Sequence, residues 1–150
     1  MEPFVEKVPF ALENDDGWPP VSTESVWCER VADHYKLVNA PFFIQGLAYG
    51  DVFEAEPDPI NGHVFSFKVV EQSGHSLVWA LNNCEIDIAA FKKEILNLGC
   101  SIEGLGRFSL YAIDIPAAVS RHKINEVLEQ YEKQGLDLAF PIWRHEVDNT

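Results

Sequence analysis

Three segments, ESVWCERV (24–31), NAPFFIQGLAYGDVF (39–53) and FKVVEQSGH (67–75), decide how this chain folds. In the first, Val26 and Cys28 alternate with Trp27, Glu29 and Val31, the period of a strand. Asp33-His34 reads as a turn and Tyr35–Val38 as the returning strand. Asn39-Ala40-Pro41 stops it, because proline lacks a donor and restricts the residue before it. Phe42-Phe43-Ile44 is an apolar plug. Gly46 and Gly50 bracket a short loop ahead of a strand at 51–55. Pro57-Asp58-Pro59-Ile60-Asn61-Gly62 is a turn cluster. A strand follows from Val64 to Val70, and Ser73-Gly74 turns the chain into another at 76–81. Short strands so closely punctuated predict a small barrel or a highly curved sheet.

Upstream, residues 1–23 form an arm with a turn at Asn14-Asp15-Asp16-Gly17, followed by Pro19-Pro20. Phe4, Val5, Val8, Phe10 and Trp18 make it too apolar for a free tail, so it is expected to pack on the body or add as an edge strand. Downstream the period changes. Asp87 is a helix N-cap and Gly99 a stop, with Ile88, Phe91, Ile95 and Leu98 as one apolar stripe over 87–98. Strands follow at 100–105 and 108–115. Pro116 opens a second helix over 117–134, with Ile124, Val127, Leu128 and Tyr131 facing the core and Gly135 ending it. A last strand covers 138–143. That order, β-α-β-β-α-β, is the ferredoxin-like split unit. The expected fold class is α+β, a small β-barrel-like N-terminal half fused to a ferredoxin-like C-terminal half. The expected regions are an arm (1–23), a β-rich subdomain (24–74) and an α+β subdomain (75–150). A shared hairpin from Val64 to Leu81 would make them one compact unit.

The chain has 150 residues, 47% of them apolar. A chain of this size buries roughly 70% of its unfolded surface, and so folds without disulfides or metal. No apolar run approaches the ~18 residues that span a bilayer. The opening MEPFVEKVPF lacks the basic-then-apolar order of a secretory signal, and a cytoplasmic protein is expected. Cys28, Cys84 and Cys100 are widely spaced with no CxxC pair, and are expected to be buried reduced thiols.

Net charge is −13. Such a surface repels nucleic acid and anionic lipid. The charge is uneven: residues 1–62 carry 12 acidic and 3 basic side chains, and residues 63–150 carry 12 and 8. The acids at Glu13, Asp15 and Asp16, and at Glu54, Glu56 and Asp58, are expected to face a basic protein partner, with Trp18 as an aromatic anchor. Trp27 and Trp143 are further anchor candidates.

Catalytic chemistry is not legible. His34, His63, His75, His122 and His145 lack the HxH or HExxH spacing of a metal site. Ser73, His75 and Asp51 offer a hydroxyl, an imidazole and a carboxylate, but Ser73-Gly74-His75 reads better as a turn. Gly104-x-Gly106 lacks the third glycine of a dinucleotide fingerprint. Glu54 and Glu56 share one side of a strand without further ligands. No metal, cofactor or catalytic residue is expected.

Together, Trp27-x-Glu29-Arg30, Tyr35-x-Leu37-x-Asn39-x-Pro41-Phe42-Phe43, Gly46-Leu47-Ala48-x-Gly50-Asp51-Val52 and Val69-Val70-Glu71-x-Ser73-Gly74-His75 resemble the bacterial domain-of-unknown-function family 4265. Leu98-Gly99-Cys100-x-Ile102-Glu103-Gly104 and Ala112-Ile113-Asp114-Ile115-Pro116 continue the match, over residues 24–140. The resemblance implies a bacterial source and supplies no activity. By analogy with small acidic proteins encoded beside toxins, it suggests an immunity protein.

Two expectations of function follow. The first is a non-enzymatic acidic protein that neutralises a cognate toxin by occluding its active site. The second is a small-molecule-binding or regulatory domain with an aromatic pocket near Phe42, Phe43, Phe67, Trp79 and Tyr111. The sequence sets no oligomeric state.

Overall fold

The computed structural model describes residues 5–145, which leaves Phe4 outside the described residues. Among the described residues the protein has two α-helices and two antiparallel sheets, of five and four strands. The chain divides into two compact units, Met1–Ser73 and Gly74–Thr150.

In the first unit, β1 (Val5–Ala11), β2 (Thr23–Val31), β3 (His34–Leu37), β4 (Val52–Ala55) and β5 (Phe67–Glu71) lie in sequence order in one sheet. The amino-terminal segment is therefore a strand paired along its length with β2, from Val5 opposite Glu29 to Ala11 opposite Thr23. The period-two pattern sends Val8, Phe10, Val26, Cys28, Tyr35, Leu37 and Phe53 into one core with Ile44, Leu47 and Val64. Trp27 and Val31, on the other side of β2, are exposed. Phe53 is the hub of the aromatic packing, with Phe10, Tyr35 and Phe67 ring centroids at 5.7, 5.5 and 5.9 Å.

The strand expected at 64–70 is interrupted. Val64 makes a parallel bridge with Phe10 of β1: the Ala11 N–H donates to Val64 O at 2.9 Å, and the Val64 N–H to Pro9 O at 2.8 Å. Ordered β5 pairing with β4 begins only at Phe67. Val64 is buried while Phe65 is 65% exposed.

In the second unit, the elements are β6 (Ser76–Leu81), α1 (Ile88–Asn97), β7 (Ser101–Leu105), β8 (Leu110–Ile115), α2 (Arg121–Lys133) and β9 (Asp137–Ile142), with sheet order β7-β8-β6-β9. Asp87 caps α1 by accepting the Ala89 N–H at 3.1 Å. Phe91 and Ile95 from α1, and Ile124, Leu128 and Tyr131 from α2, share a core with Val78, Ala80, Ile113 and Ile115.

The structure corrects several expectations. No hairpin joins Val64 to Leu81, because β6 hydrogen-bonds β8 on one edge and β9 on the other and so has no free edge for β5. Pro116 starts a turn, closed by the Val119 N–H on Pro116 O at 3.0 Å, and the helix begins five residues later. A single 3-10 turn at Gly106–Phe108 and a left-handed Ser109 delay β8 to Leu110. Cys84 is exposed, whereas Cys28 and Cys100 are buried and burial pushes both thiols up to about 12.

Candidate functional site

In the first unit the predicted site residues fall into groups with different fates. Asp15, Asp16, Gly17 and Trp18 form a tight turn, closed by the Asp15 N–H on Trp18 O at 2.8 Å and the Trp18 N–H on Asp15 O at 3.1 Å. Asp16 and Gly17 both adopt positive φ, of 57° and 83°, as a primed hairpin turn requires. Asn14 braces this turn, accepting the Gly17 N–H at 3.1 Å and donating to Pro19 O at 2.7 Å. The Trp18–Pro19 peptide bond is cis.

The turn holds Trp18 half exposed, edge-on to Phe43, with centroids 5.7 Å apart and planes at 73°. Phe43 in turn is placed by Glu24. Its carboxylate accepts the N–H groups of Phe42, Phe43 and Ile44 at 2.6, 2.9 and 3.1 Å. Burial raises the pKa of Glu24, and those three donors partly offset the rise. Asn39 adds a second tie, accepting the Trp27 N–H at 2.8 Å. The segment 39–44 is thus pinned to β2 by two side chains.

Between the turn, this pinned segment and residues 64–67 lies a groove of about 530 Å³ lined by Phe10, Trp18, Phe43, Phe65 and Phe67 together with Glu13 and Asp15. Its lining holds no Lys or Arg. Asp16 sits exposed in the adjoining turn and does not line it. Glu54 and Glu56 line a different groove, with Asp33, His34 and Lys68. Asp58 has a local duty, accepting the Ile60 N–H at 2.8 Å and the Asn61 N–H at 3.3 Å in its own turn. The acids therefore do not make one face. Glu13, Asp15 and Trp18 converge on the aromatic groove, and Glu54 and Glu56 stand elsewhere in the unit.

The Ser73, His75 and Asp51 set has structural work. Fully buried Asp51 accepts the Ala48 N–H and the Ser73 N–H, each at 2.9 Å, and the Ser73 hydroxyl donates to Tyr49 O at 2.6 Å. His75 belongs to the second unit, with Nδ1 at 2.7 Å from Asp114 Oδ1. Burial raises the pKa of Asp114, and the bond and charge of His75 act against the rise.

Beside this pair in sequence, buried Ser76 lies 2.5 Å from His145 Nδ1 and accepts the Arg144 N–H at 2.7 Å. His145 Nε2 is 2.9 Å from Pro116 O. A carbonyl only accepts, so Nε2 carries a proton, and in the neutral ring Nδ1 accepts from the Ser76 hydroxyl. This hydroxyl is fully buried and fastens residues 144–145 to β6. Sequence reasoning missed Glu24, Asp114, Ser76 and His145. A carboxylate in the middle of the apolar run Ala112-Ile113-Asp114-Ile115 was the available signal for Asp114; the others are joined over 18 to 69 positions.

Of the aromatics expected at a pocket, Phe43 and Phe67 line the groove of the first unit, and Trp79 and Tyr111 belong to the second unit. Tyr111 pairs with Ala80 on the helix-covered side of the second sheet, and Trp79, one residue away, projects to the opposite side. Trp143 packs against the helix-side core, and Trp27 is half exposed beneath the Lys7 ammonium at 5.3 Å. Among the described residues no group of three or more His, Cys, Asp or Glu side chains is arranged to hold a metal ion, and no helix is long and apolar enough to cross a membrane.

A crystal structure of a hypothetical protein from Neisseria gonorrhoeae is similar over 95% of this chain and 96% of its own, with a TM-score of 0.72 and 14% identity. At that identity the likeness is one of fold. No curated protein matches. The family described as "domain of unknown function (DUF4265)" matches residues 24–138, so the chain belongs to that family.

Proposed function

We propose that this is a non-enzymatic acidic binding protein whose first unit engages a basic protein partner, in the manner of a bacterial immunity protein covering the cleft of a cognate toxin. The observation that carries the reading is the convergence of Glu13, Asp15 and Trp18 on an aromatic groove without a cation in its lining. Like-signed charge against apolar walls favours association with a basic surface, steers its approach and disfavours acidic competitors. The mechanism is occlusion, with carboxylates meeting Lys or Arg around the partner's cleft while the aromatic rim excludes water.

The finer reading of the fold belongs with this proposal. The Phe10–Val64 bridge supports closure of the first sheet into a small barrel, and the order β7-β8-β6-β9 with its two helices supports a ferredoxin-like second unit. On this view, the barrel carries the binding surface.

Capture of the tagged protein's partners from its native lysate at low and moderate salt tests the proposal. The expected result is a stoichiometric partner with a basic toxin domain, whose toxicity co-expression suppresses. Absence of any such partner at both salts overturns it. The small-molecule alternative retains Phe43 and Phe67, which do share the groove. A metabolite that raises the melting temperature, with the gain lost in Trp18→Ala, would favour that alternative.

A further inference from the structure

We infer that the groove of the first unit is a receptor for an arginine side chain carried on an exposed basic segment of the partner. The inference rests on the binding reading above and adds the chemistry of the site.

The charge comes first. Glu13 and Asp15 line the groove, and among the described residues neither carboxylate takes part in a hydrogen bond or ion pair. Their field acts beside low-dielectric aromatic walls, which concentrate it in the cleft. A cation is the complement of that field. An anion is repelled, and a purely apolar segment would desolvate two carboxylates without compensation.

The rings then select among cations. Trp18 is half exposed over Phe43, and Phe65 is more exposed still. Indole is the best aromatic partner for a cation, and a planar guanidinium both stacks on a ring and donates in a fork to a carboxylate. An ammonium ion does the first less well and cannot form the fork. A divalent metal would need more oxygen ligands than two carboxylates supply. The cavity, about 530 Å³, lies within the roughly 300–1,000 Å³ usual for binding pockets.

The same unit already uses this arrangement internally. The Arg30 guanidinium lies 4.2 Å from the centre of the Tyr35 ring, while its Nε is 3.2 Å from Glu6 Oε1. One arginine there satisfies an aromatic face and a carboxylate together. The groove presents the same two kinds of surface, aromatic faces and carboxylates. Its walls are also set in advance, by the primed turn under Trp18 and the Glu24 latch behind Phe43, which lowers the ordering cost of binding.

The test uses acetyl-Gly-Arg-Gly-amide, its lysine and citrulline counterparts and tetramethylammonium, titrated into the full chain at low salt and followed by NMR at the Trp18 indole N–H. The arginine peptide is expected to saturate that signal and to bind about fivefold or more tightly than the lysine peptide, with citrulline giving no saturable shift. Trp18→Ala is expected to weaken it about fivefold, and Glu13→Gln with Asp15→Asn to weaken it further and flatten its salt dependence. All three side chains are exposed, so these variants should keep the fold, checked by unchanged amide spectra of β2–β4.

Equal binding of citrulline, or no saturation at millimolar arginine peptide, overturns the inference. Tetramethylammonium binding as tightly as the arginine peptide would overturn the protein source in favour of a small cation. A partner still captured at full yield by the triple variant Trp18→Ala, Glu13→Gln, Asp15→Asn would sink the groove while leaving the acidic-binding reading standing. Arginine binding in the groove without any captured partner would do the reverse.

Discussion

Ser73 donates its backbone N–H to Asp51 Oδ1 at 2.9 Å across 22 positions, and so ties the end of the first unit to the loop that precedes β4. The other Asp51 oxygen holds the Ala48 N–H, and the Ser73 hydroxyl returns a bond to Tyr49 O. Two segments matched by the family, 46–52 and 69–75, thereby form one clasp.

Gly50 sets the tolerance of that clasp. Its φ is +83°, and a Cβ placed there would stand 2.9 Å from Ser73 Cβ. Gly50→Ala is expected to cost about 2 kcal/mol or more, from left-handed backbone strain and the close approach. Ser73→Gly removes the approach but not the strain, and also loses the hydroxyl bond to Tyr49 O, so the double variant should cost less than the sum of the two single losses. Urea midpoints at unchanged slope give the cycle. Asp51→Ala leaves two buried N–H groups without acceptors and should cost about 2–4 kcal/mol by the same measurement.

Asp114 predicts a pH dependence. Burial lifts its carboxyl above the ordinary aspartate value of 3.8, so the folded chain holds this proton more tightly than the unfolded one. Its contribution to stability is then largest below 3.8 and declines as pH rises through the elevated folded value. Glu24 acts in the same direction from its ordinary value of 4.5. Asp114→Asn should flatten its part of this slope, measured as unfolding free energy between pH 4 and pH 7. An unchanged slope would mean that His75 compensates the charge fully.

Ser76→Ala should loosen the end of the second unit. It removes the Ser76 oxygen that accepts the Arg144 N–H and lies 2.5 Å from His145 Nδ1. A loss of about 1–3 kcal/mol is expected. Faster hydrogen exchange at residues 144–145, with α1 unaffected, would locate the effect.

Outer charge and groove should separate in kinetics. Glu54→Lys with Glu56→Lys alters exposed carboxylates away from the groove, so association with a captured basic partner should slow several-fold at low salt and recover at high salt. Trp18→Ala should instead speed dissociation. Identical association rates for wild type and the double lysine variant at low salt would remove the steering role.

Strands β2 to β4, the Asp-Gly turn, the Asp87 cap, the first helix and the β-α-β-β-α-β order were legible by sequence alone, because each depends on neighbours within one turn or one strand period. Val26 and Cys28 point inward and Trp27 outward for that local reason. Tertiary structure decided what distance conceals. It broke the strand after Val64 by pairing that residue with β1, and it placed β6 between β8 and β9 rather than beside β5. It gave Glu24 three backbone N–H groups some twenty residues away. It also divided the acids, gathering Glu13 and Asp15 with Trp18 at a groove, setting Glu54 and Glu56 apart, and turning Asp58 to its own loop. Charge is written in composition, but a site is a convergence of side chains, and convergence exists only once the sheet has brought residues 10–18, 43–45 and 64–67 together.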